Sequence, residues 1–142
     1  MDNLCDRAQA DAKRIVEAFL EASMVPDPVR ARTYMAQDVK ITFTGGRPFD
    51  DPSGTAAFNA ARYRWVKKKF ERTDVVVAAG DGGDAITVYN TGTLYGEWPD
   101  GEAFEGNRYV DRFVVRDGKI VRMDVWNDSA EILLVRAGLA TM

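Results

Sequence analysis

The dominant hydrophobic period changes near the middle of the chain, and that change limits the possible folds more than any other feature. In the first half, apolar residues recur every three to four positions; from Thr73 onward they alternate with a period of two. The first spacing gathers apolar side chains on one face of a helix, the second on one face of a strand. Four alternating stretches, 74–79, 85–98, 103–115 and 120–127, are separated by turns containing Asp-Gly, which suits an antiparallel meander. Such a sheet has an apolar face to bury, and the preceding helices must cover it.

The helical half divides into three pieces. Residues 4–24 read as an amphipathic helix capped by Asp2 or Asn3, with Ala8, Ala12, Ile15, Phe19 and Ser23 on a stripe widened by Val16 and Leu20. Val25-Pro26-Asp27-Pro28 breaks it, with Asp27 as N-cap and Pro28 opening a short second helix that ends near Met35. A strand over 38–44 then alternates Val39, Ile41 and Phe43 against polar partners, and Gly45-Gly46 closes it. The third helix is expected from Pro52 to about Phe70, with Phe58, Ala61, Arg62, Trp65 and Lys69 on its inner stripe. Asp128 to Gly138 reads as a short final helix.

These elements predict one α+β domain over residues 1–142: a curved, mostly antiparallel sheet, three helices on its concave face, and a short C-terminal helix. The arrangement is a cone, and its open end is a natural pocket for a small ligand. The other sheet face must meet solvent or a partner.

Composition removes whole classes of chemistry. There is no histidine, which excludes Ser-His-Asp and Cys-His arrangements and the commonest zinc and iron ligand sets. No CxxC, GxGxxG or Walker-type loop is present. The expectation is therefore no cofactor and no metal, with any chemistry left to carboxylates, amides, phenols, arginine or lysine. A net charge of −3 offers no footprint for nucleic acid, and the basic run from Arg62 to Arg72 reads as a solvated helix face. No apolar run is long enough for a membrane span, and the N-terminus lacks a signal-peptide pattern. The single cysteine, Cys5, gives no disulfide framework, so a cytoplasmic location is expected.

The last hairpin carries the most informative residue. If Arg116-Asp117-Gly118 forms a three-residue loop, Val115 pairs with Lys119, Asp111 with Met123, Tyr109 with Val125 and Asn107 with Asn127. One face then holds Tyr109, Asp111, Phe113, Val121, Met123, Val125 and Asn127. A two-residue turn would instead set Asp111 beside Asp124. The first face is the more apolar and is placed toward the helices, with a carboxylate in its middle. A buried aspartate must be protonated, paired or well hydrogen-bonded. Asp111 is either a functional acid or half of a structural ion pair, with Arg62 as the candidate partner. Asn127 either caps the final helix or hydrogen-bonds a ligand, and Asn90 is a pocket amide or a satisfied core group. Trp65, Phe43 and Tyr109 read as core or pocket wall. The opposite face, with Val110 and Trp126 beside Arg112, Arg122 and Asp124, suits a homodimer interface.

The run Tyr109-Val110-Asp111-Arg112-Phe113-Val114-Val115-Arg116-Asp117-Gly118-Lys119-Ile120-Val121-Arg122-Met123 resembles the final hairpin of ketosteroid isomerases and SnoaL-like polyketide cyclases. These belong to the nuclear-transport-factor-2-like (NTF2-like) superfamily. The Ser53-Gly54-Thr55-Ala56-Ala57 stretch is similar to the start of that family's third helix. The resemblance implies the same cone. It also places Asp111 where ketosteroid isomerases keep a protonated aspartic acid in their oxyanion hole. Ile15 stands at the position of their oxyanion-hole tyrosine and Phe43 near that of their catalytic base, so steroid isomerisation is not implied. Arg62 falls where they carry an aromatic pocket residue. The segment 128–139 resembles phenazine-biosynthesis proteins of the same superfamily, whose last-strand acid corresponds to Val125. Asp111 with Arg62 also resembles part of the aspartate–arginine–aspartate set of limonene-epoxide-hydrolase-like proteins.

The function expected from these residues is a cofactor-free lyase, isomerase, cyclase or hydrolase for an apolar oxygenated substrate. Asp111 would be its general acid or base and Arg62 its orienting cation. Tyr109, Asn127, Asn90, Trp65, Phe43, Met123, Val125, Phe58 and Ile15 would shape the ligand site. The alternative is a small-ligand-binding or dimerisation module of the same fold.

Overall fold

The first helix, α1 (Leu4–Met24), buries Ala12, Ile15, Val16, Phe19, Leu20 and Ala22. Ala8 and Ser23, expected on the same stripe, are exposed. A computed structural model describes residues 4–77 and 84–142, so the expected cap at Asp2 or Asn3 lies outside the described residues. Asp27 caps α2 (Pro28–Arg32) by accepting the Arg30 N–H at 3.0 Å, with Pro28 at the first helical position. That helix ends earlier than expected, and β1 (Met35–Phe43) starts earlier, because Met35 already pairs with the sheet. A 3₁₀ turn at Thr44–Gly46 leads into the short β2 (Arg47–Phe49).

The third helix, α3 (Pro52–Arg62), is capped by Asp51, whose Oδ1 accepts the Ser53 N–H at 2.8 Å. It does not continue to Phe70 as expected. Tyr63 turns the backbone to φ −123, ψ 151, and the chain enters β3 (Trp65–Val76). Burial alternates with a period of two along residues 65–70, and pairing with the next strand outweighs the helical pattern. The strand expected at 74–79 is the far end of β3; Ala78 and Ala79 lie outside the described residues.

β4 (Ala85–Glu97), β5 (Ala103–Arg116) and β6 (Lys119–Asn127) complete the meander, and α4 (Ser129–Arg136) follows. The sheet runs β2-β1-β6-β5-β4-β3, antiparallel throughout except for the parallel pair β1–β6. Gly92 and Gly96 on β4 allow β3 to approach closely: an added Cβ would sit 2.0 Å from the Lys69 carbonyl oxygen and 2.1 Å from that of Trp65. Register shifts lie beside both glycines, and the sheet curves there. The result is the expected α+β cone, with the core between the helices and the sheet's inner face. Phe19 of α1 meets Phe113 of β5 edge-on at 5.8 Å between ring centroids.

The β5–β6 register differs from both expected alternatives. Asp117 and Gly118 form a two-residue turn with φ 51 and 73, so Arg116 pairs with Lys119 and Val115 with Ile120. A bulge then absorbs Val121, and beyond it Asp111 pairs with Val125 and Tyr109 with Asn127. Ile120, not Val121, is therefore buried on the inner face. Tyr109, Asp111, Phe113, Met123 and Val125 keep the expected inward face.

Candidate functional site

A cavity of about 220 Å³ opens between the end of α1, one side of α3, the first half of β3 and the inner face of β6. Phe19, Leu20, Met24, Phe43, Leu94, Met123 and Val125 give it apolar walls. Ser23, Thr55, Asn59, Tyr63, Lys68 and Asn127 add polar groups. Of the residues singled out from sequence, Phe43, Trp65, Met123, Val125 and Asn127 line this cavity. Asp111, Arg62, Tyr109, Asn90, Phe58 and Ile15 stand outside its lining.

Asp111 lies directly behind one of the lining residues. Its side chain is wholly buried, and Oδ2 accepts a hydrogen bond from Lys68 Nζ. Lys68 comes from β3, with its side chain 18% exposed, and its ammonium stands 4.5 Å from the centroid of the Tyr109 ring. Oδ1 of Asp111 is buried with no hydrogen-bond partner. Burial pushes the Asp111 carboxyl above the ordinary carboxylate range, and the nearby Lys68 charge offsets only part of that rise. Tyr109 is also raised, first by burial and then by the Asp111 charge.

The expected pairing of Asp111 with Arg62 is not present. Arg62 ends α3 with its guanidinium 4.7 Å from the Phe58 ring centroid, and its Nη1 is buried without a hydrogen-bond partner. Lys68 takes the place beside Asp111. It was hidden in a basic run assigned to a helix, although the sequence held a usable signal. Read with a period of two, Val66, Lys68 and Phe70 share one side, and all three are half-buried on β3.

The remaining polar groups form two hydrogen-bonded chains. Tyr109 donates its hydroxyl to Asn90 Oδ1 at 2.5 Å, Asn90 Nδ2 donates to Thr73 Oγ1 at 3.0 Å, and Thr73 donates to Glu17 Oε2 at 3.1 Å. Asn90 is fully buried, so this chain satisfies its amide and fixes the Tyr109 ring under Lys68. The second chain borders the cavity. Ser129 Oγ accepts from Tyr63 at 2.6 Å and from Asn107 at 3.2 Å, while Ser129 N–H donates to Asn127 Oδ1 at 3.1 Å. Asn127 thus holds the start of α4 and lines the cavity as well. Burial raises the Tyr63 hydroxyl above its usual value, and Ser129 offsets part of the rise. Tyr63 also stacks on Trp98 and Phe104, each at 5.5 Å between centroids.

Chemically, the site combines an apolar cavity with one lysine whose counter-charge is a buried carboxyl. Among the described residues, no group of three His, Cys, Asp or Glu side chains could hold a metal ion. No described helix is long and apolar enough to cross a membrane.

The sequence matches the SnoaL-like domain family over residues 16–123. No curated protein matches it. Among solved structures, a protein of Jannaschia sp. CCS1 described as a SnoaL-like polyketide cyclase is 18% identical, with a TM-score of 0.68 over 100% of this chain and 99% of that one. TerC, co-crystallised with polyporic acid, is 17% identical with a TM-score of 0.65, covering 87% of this chain and 95% of its own. AclR of Streptomyces galilaeus, described as a hydroxylase, is 14% identical with a TM-score of 0.65, covering 94% and 89%. At these identities the likeness concerns the fold.

Proposed function

The chain belongs to the SnoaL-like family, and from that premise we propose that it is a cofactor-free enzyme acting on a small, largely apolar, oxygenated molecule in the cavity. The observation that carries this reading is the Lys68–Asp111 pair, set between the apolar cavity and the buried face of β5. One proton lies between Nζ and Oδ2, and a substrate group beside Lys68 can receive it or supply it. Asp111 is then the general acid or base, acting through Lys68 rather than facing the substrate. Arg62 takes no part in that transfer, because it stacks on Phe58 away from Asp111. The Asn127 amide N–H offers a hydrogen bond to a substrate oxygen, and Phe43, Trp65, Met123 and Val125 form the walls. Tyr109 and Asn90 serve by holding Lys68 in place. The substrate class draws on the cavity's walls and on TerC, co-crystallised with polyporic acid.

A second property is suggested by the outer sheet face, where Trp126 is 50% and Val110 38% exposed. We read it as the contact of a homodimer. The free, exposed Cys5 fits a reducing compartment such as the cytoplasm.

The test is a thermal-shift screen of steroids, terpenoid epoxides and aromatic polyketides against wild type and Asp111→Asn. One class should raise the wild-type Tm by several degrees, because a ligand that binds only the native state stabilises it. With that compound as substrate, Asp111→Asn should keep binding and lose turnover. Undiminished turnover in the variant would remove Asp111 from the mechanism.

A further inference from the structure

We propose that Lys68 forms a Schiff base with aldehydes or ketones that enter the cavity, Asp111 accepting the proton that the lysine must release. The inference rests on the reading above, that the cavity admits an apolar oxygenated molecule, and names the substrate class as carbonyl compounds. The chain has six lysines. Lys13, Lys40, Lys67, Lys69 and Lys119 are exposed, and Lys68 alone is half-buried. It is also the lysine whose Nζ meets a buried carboxyl, and it lines the same cavity as Leu20, Leu94 and Met123.

An amine attacks a carbonyl carbon only with its lone pair free, so the ammonium proton needs an acceptor in contact. Asp111 Oδ2 is that acceptor. Its burial, with Oδ1 lacking any partner, favours the protonated acid over an isolated carboxylate. Transfer of the proton from Nζ to Oδ2 frees the lone pair, which forms the C–N bond as the C=O π electrons move to oxygen. That oxygen takes one of the two protons on Nζ, giving a neutral carbinolamine while Asp111 keeps the first proton, to be passed back through Nζ. Loss of the hydroxyl as water, with that proton, breaks the C–O bond and leaves an iminium beside the Asp111 carboxylate. In sum, one ammonium and one carbonyl compound give one iminium and one water, and no oxidant or reductant is consumed.

The experiment incubates the full chain with cinnamaldehyde and sodium cyanoborohydride, followed by intact mass and peptide mapping. Cinnamyl alcohol, which cannot form an imine, is compared by thermal shift. The expected result is a single reduced adduct on Lys68, absent in Lys68→Arg and Lys68→Met, and formed about a hundredfold more slowly in Asp111→Asn. Selectivity within the wild type serves as a measurement that does not depend on any variant folding. Labelling of exposed Lys13, Lys40 and Lys69 as readily as Lys68 overturns the inference. A thermal shift with both probes but no Lys68 adduct also overturns it, while leaving the cavity as a binding site. No adduct and no shift with either probe overturns it as well, and the ligand panel above then decides the broader reading separately.

Discussion

Asp111 and Asp124 lie on adjacent rungs of one hairpin, both almost wholly shielded from water, and on opposite faces of the sheet. Their surroundings differ in a way that separates a structural charge from a reactive one. Asp124 Oδ2 accepts from Arg112 at 3.2 and 3.0 Å and from Arg122 at 3.0 Å, and its Oδ1 accepts from Arg122 at 3.3 Å. Both oxygens are satisfied by guanidiniums through charge-assisted hydrogen bonds. Asp111 has a single lysine, one satisfied oxygen and one orphaned oxygen. A fully bonded ion has no chemistry left to offer. An acid with one movable proton and a neighbour on a cavity does.

The largest effect on stability should come from Asp124→Ala. It removes the four hydrogen bonds that Arg112 and Arg122 donate to this carboxylate, and charge-assisted bonds of this kind are the strong ones. Arg112 and Arg122 side chains are 34% and 54% exposed and can turn to water, which limits the penalty. We expect a loss of about 2 kcal/mol, read as a drop in denaturant midpoint at unchanged slope. A loss under about 0.5 kcal/mol would place Asp124 with ordinary surface pairs instead.

Asp111→Asn should change stability less, by under about 1 kcal/mol at neutral pH, since the amide keeps the shape and removes a desolvated charge. Its signature is the pH dependence. The folded-state value of Asp111 is raised by burial above the ordinary carboxylate range of the unfolded chain. Between those two values the folded state holds a proton that the unfolded state has lost. The contribution is fully present below the ordinary carboxylate range and is lost as pH rises through the raised folded value. The advantage of wild type over Asp111→Asn should therefore grow as pH falls, measured by denaturant unfolding across a pH series. An advantage that grew with rising pH would make Asp111 an ionised structural partner of Lys68, and the contrast with Asp124 would vanish.

Much of this architecture was legible in the sequence because it depends on patterns of local period. The alternating meander of the second half and Asp27 before Pro28 each act within a few residues. Asp111 was legible for the same reason: a carboxylate alternating with Tyr109 and Phe113 has to face the core. Its partner was not. Phe58, Arg62, Trp65 and Lys69 repeat with a helical spacing by coincidence, and β3 becomes a strand only through pairing with β4 along its length. The bulge at Val121 was equally silent, since no glycine or proline marks it and packing of Ile120 into the core decides it.

The outer face gives the smallest expected effect on the monomer and the sharpest on assembly. Trp126 is half-exposed, with the Arg112 guanidinium 5.1 Å from its ring centroid, so its indole contributes little to the fold of one chain. Trp126→Asp should leave monomer stability within about 0.5 kcal/mol, as surface substitutions generally do. If a second copy covers this face, the same change should convert a dimer to a monomer on a sizing column with light scattering. A wild type that already runs as a monomer, or a variant that stays dimeric, would move the interface elsewhere. In a dimer the Arg112–Asp124–Arg122 cluster would be further shut from water, since Arg112 links it to Trp126. The losses from Asp124→Ala and Trp126→Asp would then fail to add, because either change alone exposes the face that the other needs buried. Strict additivity would instead mean that no second copy closes over the cluster, and that the outer face meets water.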